Sequence, residues 1–288
     1  MQYSLASRSF QFLGAIYRAI RFSSILCFTS TTFVGAILAS STIDFRMVWL
    51  LTFSAFSTAL GFLLNDLSDA ELDKSAGVMR NPVSTGELSR GKGTMIASFF
   101  LLVSMTPLSY LSLQNQLLGL VVIFLYFTYS FIVRAKARPV LDVAYHGLCP
   151  MILATMGWTE CRPFDVTCFL LASLVFLLHG VSQILQEVRD YETDRHMIRT
   201  TVTLLGTRRS LILCLAFFAS AFAVCLPLLF YGVIPLQILL LSPLAYFIIA
   251  PIFRAIRNEE DEKRMLKEIQ EKRLILIAAS IAALILGG

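Results

Sequence analysis

A chain of 288 residues that is 57% apolar, with a mean hydropathy of +0.73 and only 15% charged residues, is too apolar for a water-soluble domain and far too apolar for a disordered one. Its formal charge of +5 needs no nucleic-acid partner, because the cations fall between apolar runs rather than in one basic patch. The solvent that composition selects is a lipid bilayer, and the expected class is an all-α integral membrane protein with membrane lipid as a partner.

A helix rising 1.5 Å per residue needs about 20 apolar residues to cross a hydrocarbon core of about 30 Å. Nine segments meet that length, at about 22–40, 47–65, 94–112, 116–133, 140–158, 166–187, 210–231, 235–253 and 273–287. Arg8, Arg18 and Arg21 precede the first, and no small-residue cleavage site follows it, so a retained helix is expected rather than a removed signal peptide. The second span runs into the acidic stretch NDLSDAELD (65–73). The third carries Pro107, the fourth leads into YSFIVRAKARPVLD, and the fifth carries Pro150. The sixth ends in QEVRDYETD (186–194), and after the eighth comes RAIRNEEDEKRMLKEIQEKR (254–273), whose mixed charges predict a solvated helical connector. The nine spans read as one domain over 1–288, with two related four-helix halves at about 15–134 and 135–255 and a last helix at 273–287, around a central cavity.

With nine crossings, the N-terminus and the loops after even-numbered spans share one side and hold 22 of the 24 Lys and Arg residues; only Arg46 and Arg162 lie opposite. The positive-inside rule then places the N-terminus and those loops in the cytoplasm. The six cysteines, Cys27, Cys149, Cys161, Cys168, Cys214 and Cys225, form no CxxC and no zinc spacing, and read as small core residues.

Asp66, Asp69 and Asp73 are spaced by three and four residues, so on a helix they stack along one face, with Asn65 beside Asp69. Like charges at that spacing cost an isolated helix about 0.2–0.5 kcal/mol per pair, and removing one should slightly raise stability unless a cation sits against them. A shift of 121 residues lays the second acidic stretch over the first: Gln186 on Asn65, Glu187 on Asp66, Asp190 on Asp69 and Asp194 on Asp73. Two matched clusters at equivalent helix ends argue for two acidic faces brought together, where one alone could be a solvated helix end. Oxygen-only ligands of this kind suit Mg²⁺, held by Asp66, Asp69, Asp73, Asp190 and Asp194 together with substrate phosphate oxygens. Lys74, Arg80, Arg134, Lys136, Arg138, Arg195 and Arg199 lie near the two clusters and could neutralise a diphosphate; Arg90, Lys92, Arg208 and Arg209 read as ordinary positive-inside residues. A polyphosphate head at the membrane surface with an apolar tail among the helices points to a prenyl diphosphate.

These residues resemble the UbiA superfamily of intramembrane prenyltransferases. NDxxDxxxD at Asn65, Asp66, Asp69 and Asp73, followed by Lys74, Arg80 and Pro82, looks like its first signature, and DYETDRHMIRTTVTLLG (190–206) like its second. YSFIVRAKARPVLDVAYHG (129–147) is similar to the family's loop between helices 4 and 5, where a Tyr and a Lys bind diphosphate, here Tyr129 with Lys136 or Arg134. Three departures stand out: Arg80-Asn81-Pro82 where Arg-Pro is usual, a wide spacing from Tyr129 to Lys136, and Met197-Ile198 where many members carry Gly. The resemblance implies nine helices around a cavity and Mg²⁺-dependent transfer of an isoprenoid chain onto a hydrophobic or aromatic acceptor, with Asp66, Asp69, Asp190 and Asp194 as the catalytic carboxylates. Nothing in the sequence requires an oligomer. Two alternatives stay open: cyclisation of the same allylic cation without an acceptor, and a cation-coupled transporter with repeat-related acidic sites. His146 and His179 read more readily as hydrogen-bonded structural residues than as catalytic ones, Gln183 and Gln186 as ligand-orienting or mutually satisfied amides, and Glu71 as solvent-exposed.

Overall fold

The computed structural model describes residues 5–40, 44–235, 242–257, 261 and 264–269, and these form helices and turns with no strand among them. Eight of the nine expected spans coincide with a helix: α2 (Phe22–Ala39), α3 (Phe45–Ser75), α4 (Arg90–Leu108), α5 (Leu113–Phe127), α6 (Leu141–Cys161), α7 (Val166–Asp194), α9 (Thr207–Phe230) and α10 (Ser242–Ile256). The ninth, 273–287, lies outside the described residues, as does most of the connector before it. Six of the described helices, α2, α3, α4, α5 with its extension, α7 and α9, are long and apolar enough to cross a membrane. Large apolar side chains such as Phe99, Leu102, Leu117, Phe124, Phe169 and Phe222 are exposed on them, as a lipid-facing surface requires.

Two elements were not legible as spans. Helix α1 (Leu5–Ile20) is too short to cross, and its apolar residues lie on one side of an amphipathic pattern. Helix α8 (Thr201–Leu205) is a single turn started by a capping box between Thr200 and Thr203.

The helix starts follow from sequence. Asp44, Ser89, Ser112 and Asp165 each accept a hydrogen bond from the backbone N–H three residues on and so begin α3, α4, α5 and α7. Helix α5 passes into a π-helical turn, Thr128–Ile132, and then a 3₁₀ turn, Ala135–Ala137. Arg134 between them adopts the left-handed conformation (φ 50°), and Val140 has φ 74°.

Helix α2 lies against α6, α6 against α7, α7 against α9 and α3 against α4. The α2–α6 crossing is made at backbone distance. A Cβ on Gly157 would fall 2.1 Å from the Thr32 carbonyl oxygen, and one on Gly35 2.1 Å from that of Ala154. Small residues at such a crossing let two helices approach where lipid supplies no hydrophobic drive. Apolar clusters fill the space between the layers, one around Leu60, Leu63 and Leu88, another around Phe53, Leu153 and Met156, a third around Ile184, Leu211 and Ile252. Cys149, Cys168 and Cys214 are buried as core residues; Cys161, at the end of α6, is exposed.

The lengths of α3 and α7 position the site. Their 31 and 29 residues extend about 46 and 43 Å, well beyond a hydrocarbon core of about 30 Å. The surplus turns at their C-terminal ends are the two acidic stretches.

Candidate active site

A cavity of about 540 Å³ opens between the ends of α3 and α7. Both acidic stretches reach it: Asn65, Asp69 and Asp73 from α3, and Asp190 and Asp194 from α7. Arg80, Tyr129 and Lys136 also line it, so eight of the residues singled out from the sequence share one chamber. Its apolar wall includes Phe28, Phe62, Tyr126, Tyr145, His146 and Cys149. His179, buried beside it, stacks edge-on against Phe28 at 5.1 Å between centroids.

Three of the expected residues stand apart. Asp66 is buried but is not among the lining residues; its Oδ1 accepts from Arg21 Nη2 at 2.6 Å. Lys74 and Arg134 are exposed and outside the lining. The choice between Arg134 and Lys136 is made by the chain path: the left-handed residue at 134 and the 3₁₀ turn after it direct Lys136 inward, where its ammonium pairs with Asp69. Arg138, Arg195 and Arg199 are exposed and outside the lining, and Arg195 pairs with Glu192 at 2.9 Å. Glu71 is exposed, as helix geometry requires for a residue about 200° around from Asp69.

Asp69, Asp73 and Asp190 each have a donor of their own. Asp69 accepts from Ser68 Oγ at 2.9 Å as well as pairing with Lys136. Asp73 accepts from Asn81 Nδ2 at 2.8 Å. Asp190 takes a two-point contact from Arg189, Nε to Oδ1 at 2.8 Å and Nη2 to Oδ2 at 2.7 Å. Burial pushes the Lys136 ammonium down to about 8, against the pull of the Asp194 carboxylate.

Sequence reasoning overlooked three of these partners. Arg21 counted only as one of many positive-inside cations, yet it begins α2 in a left-handed conformation (φ 51°), lies 5.1 Å over the Phe62 ring and lines the cavity. Asn81 entered only as an interruption of Arg-Pro. Its side chain also donates to the Asp66 carbonyl at 2.9 Å, and its own oxygen accepts from Val83 N, so this inserted amide pins the loop after α3 to the acidic face. Arg189 was passed over as part of the acidic motif itself.

The donor set is chemically suited to a hard divalent cation: four carboxylates on two helix ends, oxygen ligands only. Among the described residues no three His, Cys, Asp or Glu side chains converge tightly enough to hold an ion unaided. Mg²⁺ takes a few carboxylates and completes its shell with water and phosphate oxygens.

The sequence profile of the UbiA prenyltransferase family matches residues 28–276. No curated protein sequence matches the chain. Among solved structures, a UbiA homolog from Archaeoglobus fulgidus bound to GPP and Mg²⁺ superposes with a TM-score of 0.70 at 21% identity, covering 94% of this chain and 99% of that one. The apo structure of a UbiA homolog from Aeropyrum pernix K1 gives 0.73 at 16% identity over 91% and 98%. A digeranylgeranylglyceryl phosphate synthase gives 0.71 at 15% identity over 96% and 98%.

Proposed function

Because the chain belongs to the UbiA prenyltransferase family, we propose that it transfers an isoprenoid chain from a prenyl diphosphate to a hydrophobic or aromatic acceptor within the membrane, with Mg²⁺ as cofactor. The observation that carries this reading is the convergence of both acidic stretches, Lys136, Arg80 and Tyr129 on one cavity whose deeper wall is aromatic and apolar.

When bound, Mg²⁺ would offset the negative charge that builds on the diphosphate as the allylic C–O bond ionises. Asp69 and Asp73 on α3, and Asp190 and Asp194 on α7, would hold it, with Asn65 beside them; Asp66 would act from behind through Arg21. Lys136, Arg80 and Tyr129 orient the phosphate oxygens, by charge and by hydroxyl donation. Lys74 and Arg134, exposed outside the chamber, would contribute only to the field at its mouth. Below them Phe28, Phe62 and Tyr126 exclude water that would trap the allylic cation as an alcohol, and their ring faces favour positive charge by about 0.5–2 kcal/mol each.

The nine-span arrangement in two matched halves belongs to the same proposal, and it places the cavity mouth and N-terminus in the cytoplasm. It is supported by the 22 of 24 cations on one side and by the 121-residue register between the acidic ends. The transporter reading falls away with family membership.

The test is to incubate the detergent-purified protein with Mg²⁺ and geranylgeranyl or farnesyl diphosphate, with and without a lipid extract, and to analyse products by mass. An adduct that needs the extract establishes transfer, and its mass identifies the acceptor. Hydrocarbon formed without extract would establish the cyclase instead. Undiminished turnover in EDTA would refute the metal-dependent reading of the carboxylates.

A further inference from the structure

The chamber has a depth as well as a mouth, and α3 measures it. The lining runs inward along one face of that helix from Asp73 through Asp69, Asn65, Phe62 and Gly61, and stops at Thr58. One turn deeper, Ser54 is fully buried and accepts from Thr32 Oγ1 at 2.9 Å, beside the glycine crossing of α2 and α6. On α6 the lining stops at Cys149, and Leu153 a turn below is fully buried. Phe28 of α2 also lines the chamber, its ring edge-on to those of Phe62 at 5.9 Å and His146 at 5.7 Å.

Tyr126 of α5 lies across this inner end. Gly61 leaves the place for its ring, since a Cβ there would fall 2.7 Å from the Tyr126 Cδ1. The Tyr126 hydroxyl is 3.4 Å from Thr58 Oγ1, so the side chain runs along α3 from Gly61 to Thr58. One turn deeper on α5, Val122 is fully buried in the cluster that holds Phe53 and Leu153. From Asp69 to Thr58 is eleven residues of α3, about 16 Å. An extended chain gains about 3.5 Å over the three bonds of a residue, hence about 5 Å over the four bonds of an isoprene unit. Three units match that depth, and four, at about 20 Å, overrun it.

We propose that Tyr126 is the stop that sets isoprenoid length, and that farnesyl diphosphate, with three isoprene units, is the longest donor that lies extended between the carboxylates and this floor. This rests on the prenyl-transfer reading above. A fourth unit has two places to go. It can displace the Tyr126 ring, which is lodged against Gly61 and held at its hydroxyl by Thr58. Or it can fold back toward the mouth, where the acceptor has to reach the allylic carbon. Either course costs binding that the shorter tail keeps, and one misplaced apolar group in a fitted pocket is worth about 10–200-fold in selectivity. The ring and hydroxyl that Tyr126→Ala removes are larger than one isoprene unit, so that change opens room for the fourth.

The experiment measures kcat/KM for geranyl, farnesyl and geranylgeranyl diphosphate, with Mg²⁺ and lipid extract in detergent, for wild type, Tyr126→Ala, Tyr126→Phe and Thr58→Leu. Phe124→Ala, on the exposed side of the same helix, is the control. Wild type should favour farnesyl over geranylgeranyl diphosphate by about 10-fold or more, and Tyr126→Ala should raise the geranylgeranyl-to-farnesyl ratio by a similar factor. Tyr126→Phe, which keeps the ring, and Phe124→Ala should retain the wild-type ratio. Thr58→Leu adds bulk at the floor and should move the preference toward geranyl diphosphate; it decides the matter if Tyr126→Ala does not fold. A wild type that uses geranylgeranyl as well as farnesyl diphosphate overturns the proposal. So does a ratio unmoved in Tyr126→Ala and Thr58→Leu, or one moved as far in Tyr126→Phe or Phe124→Ala as in Tyr126→Ala. Diphosphate release from none of the three donors by wild type would instead defeat the prenyl-transfer reading itself.

Discussion

Replacing Asp69 by Ala removes the counter-charge of a buried ammonium, and the structure bounds what that costs. The Lys136 side chain is 12% exposed and its ammonium is pushed down to about 8. Left without Asp69, the lysine can stay charged, which for a broken buried pair costs about 3–5 kcal/mol, or it can release its proton. At pH 7 the second route costs about 1.4 kcal/mol, one pH unit below a pKa of about 8. The cheaper route governs, so Asp69→Ala should lose no more than about 1.4 kcal/mol at pH 7 and almost nothing at pH 9, where the wild-type lysine is already neutral. The sign follows from linkage: with the folded pKa below the ordinary value of about 10.4, the unfolded chain binds more protons in that window, so stability rises with pH there. This reverses the expectation, drawn from like-charge spacing alone, that removing a carboxylate would stabilise the fold. The assay is thermal unfolding in detergent at several pH values for wild type, Asp69→Ala and Glu71→Ala. Glu71→Ala should track wild type throughout, whereas turnover of Asp69→Ala should fall about 100-fold or more. A deficit in Asp69→Ala that persists undiminished at pH 9, or that Glu71→Ala shares, would refute the reasoning.

Three other outcomes can be checked alongside. The value of kcat/KM should fall as pH rises through about 8, because the free enzyme loses the Lys136 ammonium there, and Lys136→Arg should move that limb upward. Gly157→Ala should destabilise by about 1–3 kcal/mol or more in a denaturant series, since its Cβ would fall 2.1 Å from the Thr32 carbonyl oxygen; a neutral result would contradict the close crossing. A cysteine at exposed Ser75 or Thr193, in a background stripped of native cysteines, should react with impermeant thiol reagents from the cytoplasmic side alone, and labelling from outside would reverse the proposed orientation.

The helices were legible because an apolar run of membrane length has few other uses, and the acidic face because three and four are the spacings a helix stacks. Which cation enters the chamber was not legible. Arg134 and Lys136 are two residues apart, and the difference between them lies in a left-handed residue and one 3₁₀ turn that no periodicity announces. Arg21 was concealed by abundance: among 22 cations on one side, nothing in sequence marks the one placed by a helix start against Asp66. Asn81 looked like damage to a motif, and its value as a three-way hydrogen-bonding amide exists only once the loop folds back on α3. Asp142 and Glu187, far apart in sequence, accept from the consecutive backbone amides of Thr201 and Val202, a convergence that neither neighbourhood announces.

The glycine crossing of α2 and α6 has a mechanical side. Its tightest contacts, at Thr32 and Gly35, lie about 20 Å along α2 from Arg21, taking some thirteen residues at 1.5 Å each. Backbone meets backbone there, so α2 is pinned against α6 at its middle, while its Arg21 end is packed through Ala19 and Ile25 against the cluster around Leu60 and Leu63. Over that arm a tilt of about 3° displaces the guanidinium by about 1 Å, enough to lengthen its 2.6 Å contact with Asp66 beyond hydrogen-bonding range. A change in the tilt of α2 would therefore reach the Arg21–Asp66 contact before it disturbed the glycine crossing itself.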